Sequence, residues 1–181
     1  MCVGRERAVI HYDYQDMPDE WIVWVDSDWA GCRVTRKSTS GGLAVLGSHV
    51  IRTWSTTQSV IAMSSGEAEY YSIVKVSSMG MGIKAVAMDM GVFVRSINVN
   101  TDASAANGIA SRRGLGKIRH IEVSQVWLQD RVSSGEIIVA KVRTNDNLAD
   151  ALTKYVESSI LELHMRCSGL VITKGRHELA E

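Results

Sequence analysis

Six carboxylates stand at positions where the chain changes from one kind of structure to another. Asp26 and Asp28 close the apolar run Trp21-Ile22-Val23-Trp24-Val25, and Glu67 and Glu69 follow Ser64 at the start of a helical pattern. Asp102 ends the stretch 94–100, and Asp150 opens the last apolar stretch. Three or four carboxylates brought together repel strongly, and a cluster of them is tolerable when it holds a divalent cation. Ligands that are all oxygen suit Mg²⁺ or Mn²⁺ and not zinc or copper. Two such ions about 3.5–4 Å apart can activate water and stabilise a departing oxygen in phosphoryl transfer. Taken singly, each residue also has a plainer reading. Aspartate at a strand end favours turns, and glutamate near a helix N-terminus caps it and suits the dipole. The chemistry therefore depends on convergence.

The elements that would bring these residues together can be read from patterning. Residues 21–25 are aromatic and β-branched, bounded by acidic turn residues, and predict a buried strand. Residues 42–46 and 49–54 predict two more strands, joined by a tight turn at Gly47-Ser48. Ser64-Ser65-Gly66-Glu67 has capping-box spacing and opens a helix. Gly80 and Gly82 predict a kink or break, with a second helical stretch to about residue 90 and Gly91 as its cap. A fourth strand over 94–100, a short helix over 103–110 and a Gly- and Arg-rich loop over 112–120 follow. A helix over 121–132, a fifth strand over 136–142 and a final helix from Asn147 complete the series. The order β-β-β-α-β-α-β-α predicts an α/β fold, a mixed sheet with helices on both faces. If the first and fourth strands are parallel neighbours, Asp26 and Asp102 emerge at the same sheet edge, where open α/β sheets hold ligands.

Composition sets the outer limits. The chain has 181 residues, 20 basic and 20 acidic, with 45% hydrophobic and 22% charged residues, which fits one globular domain and excludes a disordered tail. Cys2, Cys32 and Cys167 lack metal-ligand spacing and are read as reduced thiols. No run approaches the ~20 apolar residues of a membrane span. Zero net charge argues at first against a strongly basic nucleic-acid binder. The bases are nevertheless clustered: Arg33, Arg36 and Lys37 follow the first acidic motif, and Arg112, Arg113, Lys117, Arg119 and His120 fill the loop after the fourth strand. Such runs can neutralise phosphates around an acidic pocket that the total charge conceals.

A series of motifs carries a specific resemblance. Val25-Asp26-Ser27-Asp28-Trp29-Ala30-Gly31-Cys32-Arg33 is followed by Thr35-Arg36-Lys37-Ser38-Thr39-Ser40-Gly41 and Trp54-Ser55-Thr56-Thr57-Gln58. Ser64-Ser65-Gly66-Glu67-Ala68-Glu69-Tyr70-Tyr71, Asn100-Thr101-Asp102, Arg119-His120-Ile121-Glu122 and Asn147-Leu148-Ala149-Asp150-Ala151-Leu152-Thr153-Lys154 come next, in order. Across roughly residues 21–156 the chain resembles the ribonuclease H domain of Ty1/copia-type retrotransposon Pol polyproteins. The resemblance implies a ribonuclease H-like fold, a five-stranded mixed sheet with three antiparallel strands and then two parallel ones. It also implies a domain at 21–165, a leader at 1–20 left from an upstream reverse transcriptase connection, and a C-terminal tail at 166–181.

The resemblance implies catalytic, metal-binding roles for Asp26, Glu69, Asp102 and Asp150, with two Mg²⁺ ions for which Mn²⁺ can substitute. Asp28 reads as a turn or supporting residue. Glu67 lies about 200° around the helix from Glu69 and suits the capping box. The implied activity is endonucleolytic, two-metal cleavage of the RNA strand of RNA–DNA hybrids beside a reverse transcriptase domain of the same polyprotein. Arg33, Arg36, Lys37, Ser38, Thr39, Ser65, Arg112, Arg113, Lys117 and His120 are the expected substrate contacts, with Ser40, Gln58 and Asn107 as further candidates. Family habit implies an intracellular location, cytoplasmic or nuclear. The chain departs from cellular ribonucleases H in the loop Arg143-Thr144-Asn145-Asp146, which lacks their histidine. The alternatives are a weakly active or inactive nucleic-acid-binding remnant of such a polyprotein, and a different nuclease on the same fold.

Overall fold

A computed structural model describes residues 6–104, 108 and 123–175. Its centre is a nine-residue strand, Glu20–Asp28, here β2, preceded by a short β1 at Glu6–Ile10. Along β2 the side chains of Trp21, Val23 and Val25 are buried in alternation, as the two-residue period of a strand requires. A hairpin of β3 (Thr39–Leu46) and β4 (His49–Thr57) continues antiparallel from β2. The two-residue turn Gly47-Ser48 joins them where the sequence predicts it, with Gly47 at φ 61°.

Helix α1 runs from Ser65 to Asp89. β5 (Ser96–Thr101) then inserts parallel beside β2, and β6 (Ile137–Lys141) parallel beside β5, with α2 (Val123–Ser133) between them. The sheet order is β4-β3-β2-β5-β6, the mixed five-stranded arrangement expected, antiparallel on one side of β2 and parallel on the other. One face of the sheet is covered by α1 and α2, where Tyr70, Ile73, Val76 and Leu128 meet Val23, Val25, Ile97 and Val99. The other face carries Leu43, Val45 and Val50 against Leu148 and Leu152; Leu148 lies between two short 3-10 turns, Thr144–Asp146 and Asp150–Leu152, and Leu152 ends the second.

Two expectations are corrected. The helix is not broken at Gly80 and Gly82, because α1 is one helix of 25 residues. Gly80 lies close on the sheet: a Cβ there would stand 3.2 Å from Ile97 Cγ2. The final helix does not begin at Asn147, and Asp150 is carried by a 3-10 turn; the helix that follows, α3, is Ser158–Cys167. The two ends of the chain meet. β1 pairs antiparallel with β7 (Leu170–Lys174) in a separate two-stranded sheet. The segment before β2 is also tied to the hairpin, since the Tyr12 hydroxyl donates to Val50 O and Gln15 Nε2 donates to Leu46 O. No helix among the described residues is long and apolar enough to cross a membrane.

Candidate metal centre

β2 and β5 are parallel, so their C-terminal ends share one edge of the sheet, and Asp26 and Asp102 emerge there together. Helix α1 crosses this edge with its first turns. Its start is fixed by Ser64, whose side chain accepts from the Glu67 N–H at 3.2 Å. The Glu67 carboxylate in turn accepts from Met63 N–H at 2.8 Å and from the Tyr71 hydroxyl at 2.6 Å. Glu67 is thereby buried in the helix start. Glu69, two residues on, points to the sheet edge, as the 100° step between helix residues demands.

The result is a trio. Asp26, Glu69 and Asp102 each offer an oxygen, and these oxygens lie within 4.8 Å of one another. Asp26 is buried, and Glu69 and Asp102 are half-buried. Burial, with the charges of Asp26 and Asp102 behind it, pushes the Glu69 carboxyl up to about 9; a backbone hydrogen bond from Ser27 works the other way. Glu69 Oε2 is buried with no hydrogen-bond partner. Three oxygens converging, one of them an orphaned acceptor, is a donor set that a hard divalent cation satisfies. Mg²⁺ or Mn²⁺ fits these residues.

Asp150 is brought to the same edge by a different route. Asn147, fully buried, donates from Nδ2 to Val25 O at 3.0 Å and accepts at Oδ1 from the Ala149 N–H at 3.2 Å. That pins the 3-10 turn beside β2, one residue from Asp26. Burial and the charges of Asp26 and Asp102 push the Asp150 carboxyl up to about 6, against the pull of Lys154. Asp150 is not one of the trio. It is joined to Asp26 through Lys154, whose Nζ is 3.1 Å from Asp150 Oδ2 and 3.7 Å from Asp26 Oδ2. Burial disfavours the ammonium, but the surrounding carboxylates outweigh it and hold the pKa of Lys154 above its ordinary value. The Thr153 hydroxyl donates to the same Oδ2 of Asp26. Thr153 and Lys154 belong to a motif noted in the sequence but had no role there; the signal for Lys154 was its four-residue spacing from Asp150.

The expected substrate contacts divide. Arg33 and Arg36 are exposed on the loop after β2, with Lys37 half-buried beside them. That loop is closed by backbone hydrogen bonds from Cys32 to Lys37 O and from Arg36 to Cys32 O. Ser65 is exposed at the start of α1. Ser38 turns inward instead, fully buried, with its hydroxyl accepting from the Ala30 N–H at 3.0 Å. Thr39 is half-buried, and its N–H donates to Asp28 Oδ1, so Asp28 braces the loop. Ser40 and Gln58 are buried in one network: Gln58 Nε2 donates to Ser40 Oγ, Ala68 O and Ser72 Oγ. Asn107, Arg112, Arg113, Lys117 and His120 lie outside the described residues.

Comparison with protein-family models finds no match. The chain is 33% identical over 135 residues to the retrovirus-related Pol polyprotein from transposon RE1 of Arabidopsis thaliana, a match covering 71% of this chain and 9% of that protein. It is 30% identical over 149 residues to the retrovirus-related Pol polyprotein from transposon TNT 1-94 of Nicotiana tabacum, covering 82% of this chain and 11% of that protein. The chain thus spans about a tenth of the length of the curated relatives it matches. Among solved structures, the N-terminal ribonuclease H domain of Rv2228c from Mycobacterium tuberculosis is 15% identical, with a TM-score of 0.49 over 81% of this chain and 96% of that one.

Proposed function

Because the chain belongs to the retrovirus-related Pol polyproteins of copia-type transposons, we propose that it is their ribonuclease H module and cleaves the RNA strand of RNA–DNA hybrids. One observation carries this reading: carboxylates from β2, α1 and the end of β5 meet within 4.8 Å. In it, Asp26, Glu69 and Asp102 hold a divalent cation and Asp150 completes the acidic edge. A bound cation supplies Lewis-acid stabilisation of charge on a phosphodiester and a more acidic water.

The chain's own residues do the positioning. Ser27 N–H and the Thr153 hydroxyl hold the carboxylates of Glu69 and Asp26 in place. Arg33 and Arg36, exposed beyond the same edge, neutralise backbone phosphates of the hybrid. Choice of the RNA strand requires contacts to 2′-hydroxyls in the shallow minor groove, and the Ser65 hydroxyl at the start of α1 is the exposed donor nearest in sequence to Glu69. In the intact polyprotein the partner is the reverse transcriptase domain, and the hybrid is its product.

The test is cleavage of a labelled RNA–DNA hybrid in Mg²⁺ and in Mn²⁺, with Asp102→Asn as the control. Products with 5′-phosphate ends that vanish in the variant support the reading. A folded chain that cuts nothing in either ion points instead to a binding remnant, and equal cutting of duplex DNA points to a different nuclease. Undiminished cutting by Asp102→Asn refutes the site.

A further inference from the structure

The acidic edge is not evenly supplied with countercharge. Asp26, Glu69 and Asp102 form the close trio, and Glu69 Oε2 has no hydrogen-bond partner. Asp26 and Asp150 already share a cation, the Lys154 ammonium, 3.7 Å and 3.1 Å from their Oδ2 atoms. A divalent ion such as Mg²⁺ binds carboxylate oxygen at about 2.1 Å. An ion beside Asp150 at that distance and an ammonium on the same oxygen would occupy overlapping space and repel each other. The Lys154 side chain is 44% exposed on a flexible stem, so it is free to swing into solvent.

We infer that Lys154 is a built-in competitor for the Asp150 side of the centre, so that divalent ions enter in order. The first binds at Asp26, Glu69 and Asp102, where the ammonium stands off at 3.7 Å from Asp26 Oδ2 alone, and a second binds next to Asp150 only by displacing the ammonium from its closer partner at 3.1 Å. The inference rests on the ribonuclease H reading above, since it takes the trio to be a cation site. It makes Lys154 a regulator of metal stoichiometry, separate from the residues that hold the first ion.

Mn²⁺ titration of the full chain, without nucleic acid, followed by calorimetry and by electron paramagnetic resonance of free Mn²⁺, tests it. The parent is expected to bind one Mn²⁺ firmly and a second weakly. In Lys154→Met the second dissociation constant is expected to fall roughly tenfold while the first moves less than about twofold, a change comparable to one favourable ion pair. Lys154→Arg keeps the cation and is expected to keep the weak second site. Lys154→Gln repeats the measurement should the methionine variant fold poorly, with circular dichroism as the check. A second constant unchanged or weakened in both neutral variants overturns the inference while leaving the ribonuclease H reading intact. A parent that binds no Mn²⁺, or an Asp102→Asn variant that binds like the parent, overturns both.

Discussion

A Cβ on Gly41 would stand 2.6 Å from Cγ2 of Thr153 and 2.8 Å from Cβ of Leu152. Gly41 is also the residue paired across the sheet with Asp26. The absent side chain lets the segment that carries Asp150, Thr153 and Lys154 lie on the sheet beside the first carboxylate. Two parts of the chain more than 100 residues apart in sequence are thus held together by a missing methyl group.

Gly41→Ala is therefore expected to lift the 3-10 turn off β3 and to break the hydrogen bond from Thr153 to Asp26. Overpacking of this kind costs about 1–3 kcal/mol. Hybrid cleavage should fall further than stability alone explains, because Asp150 moves with the turn. Thermal unfolding and cleavage measured side by side decide it; a variant that melts and cuts like the parent would show that the turn tolerates the methyl.

Glu67 and Glu69 are two residues apart and should behave in opposite ways. Glu67 accepts from Met63 N–H and the Tyr71 hydroxyl inside the helix start, so Glu67→Ala removes charge-assisted bonds worth about 1.5–3 kcal/mol each and destabilises the fold. Glu69→Gln removes a repelled carboxylate and should leave the chain at least as stable, while abolishing cleavage and weakening Mn²⁺ binding. Urea unfolding and Mn²⁺ titration of both variants separate the roles. Loss of Mn²⁺ binding in Glu67→Ala at a temperature where it is folded would argue against the division.

The same contrast marks how far the sequence could be read. The alternation of Trp21, Val23 and Val25, the Gly47-Ser48 turn and the Ser64 cap are local signals, and each landed in the expected element because tertiary packing agrees with them. Gly80 is the counter-example. Its intrinsic helix-breaking tendency is overruled because a stripe of Ile73, Val76, Ser77 and Gly80 is buried along the sheet and needs an unbroken helix. Leu148 and Leu152 are spaced four apart, as in a helix, and both pack on the second face of the sheet; what makes the segment a 3-10 turn is Asn147 bonded to β2, a long-range contact with no local trace. Pairing of β1 with β7 joins Glu6 to Lys174 and leaves equally little in the sequence.

Gly82 lies on the same helix as Gly80 but meets nothing beyond its own stretch of helix: no other heavy atom lies within 4 Å of where its Cβ would be. Gly82→Ala should then raise stability by roughly 0.5–1 kcal/mol, the ordinary helix advantage of alanine. Gly80→Ala gains the same propensity but crowds Ile97, and should be the less stable of the two variants. Denaturant midpoints for the pair check this, and a Gly80→Ala chain that equals Gly82→Ala would mean that β5 yields freely under the helix.

The acidic edge also sets how stability depends on pH when divalent ions are removed. The Glu69 carboxyl ordinarily titrates at 4.5 and is held at about 9 in the fold. Between those values the folded chain keeps a proton that the unfolded chain has released, so stability is full below 4.5 and is lost as pH rises toward 9. Asp150 adds a loss of the same sign between 3.8 and about 6. In EDTA the melting temperature is expected to fall as pH is raised from 5 to 9, and Glu69→Gln should flatten that slope. Adding Mg²⁺ or Mn²⁺ should restore stability most at the alkaline end, where the carboxylates are ionised and the cation binds the folded state alone. The discriminating quantity is the difference in slope between parent and Glu69→Gln, which cancels the titration of groups remote from Glu69. Parallel curves for the two proteins would mean that Glu69 carries no bound proton in the cation-free fold.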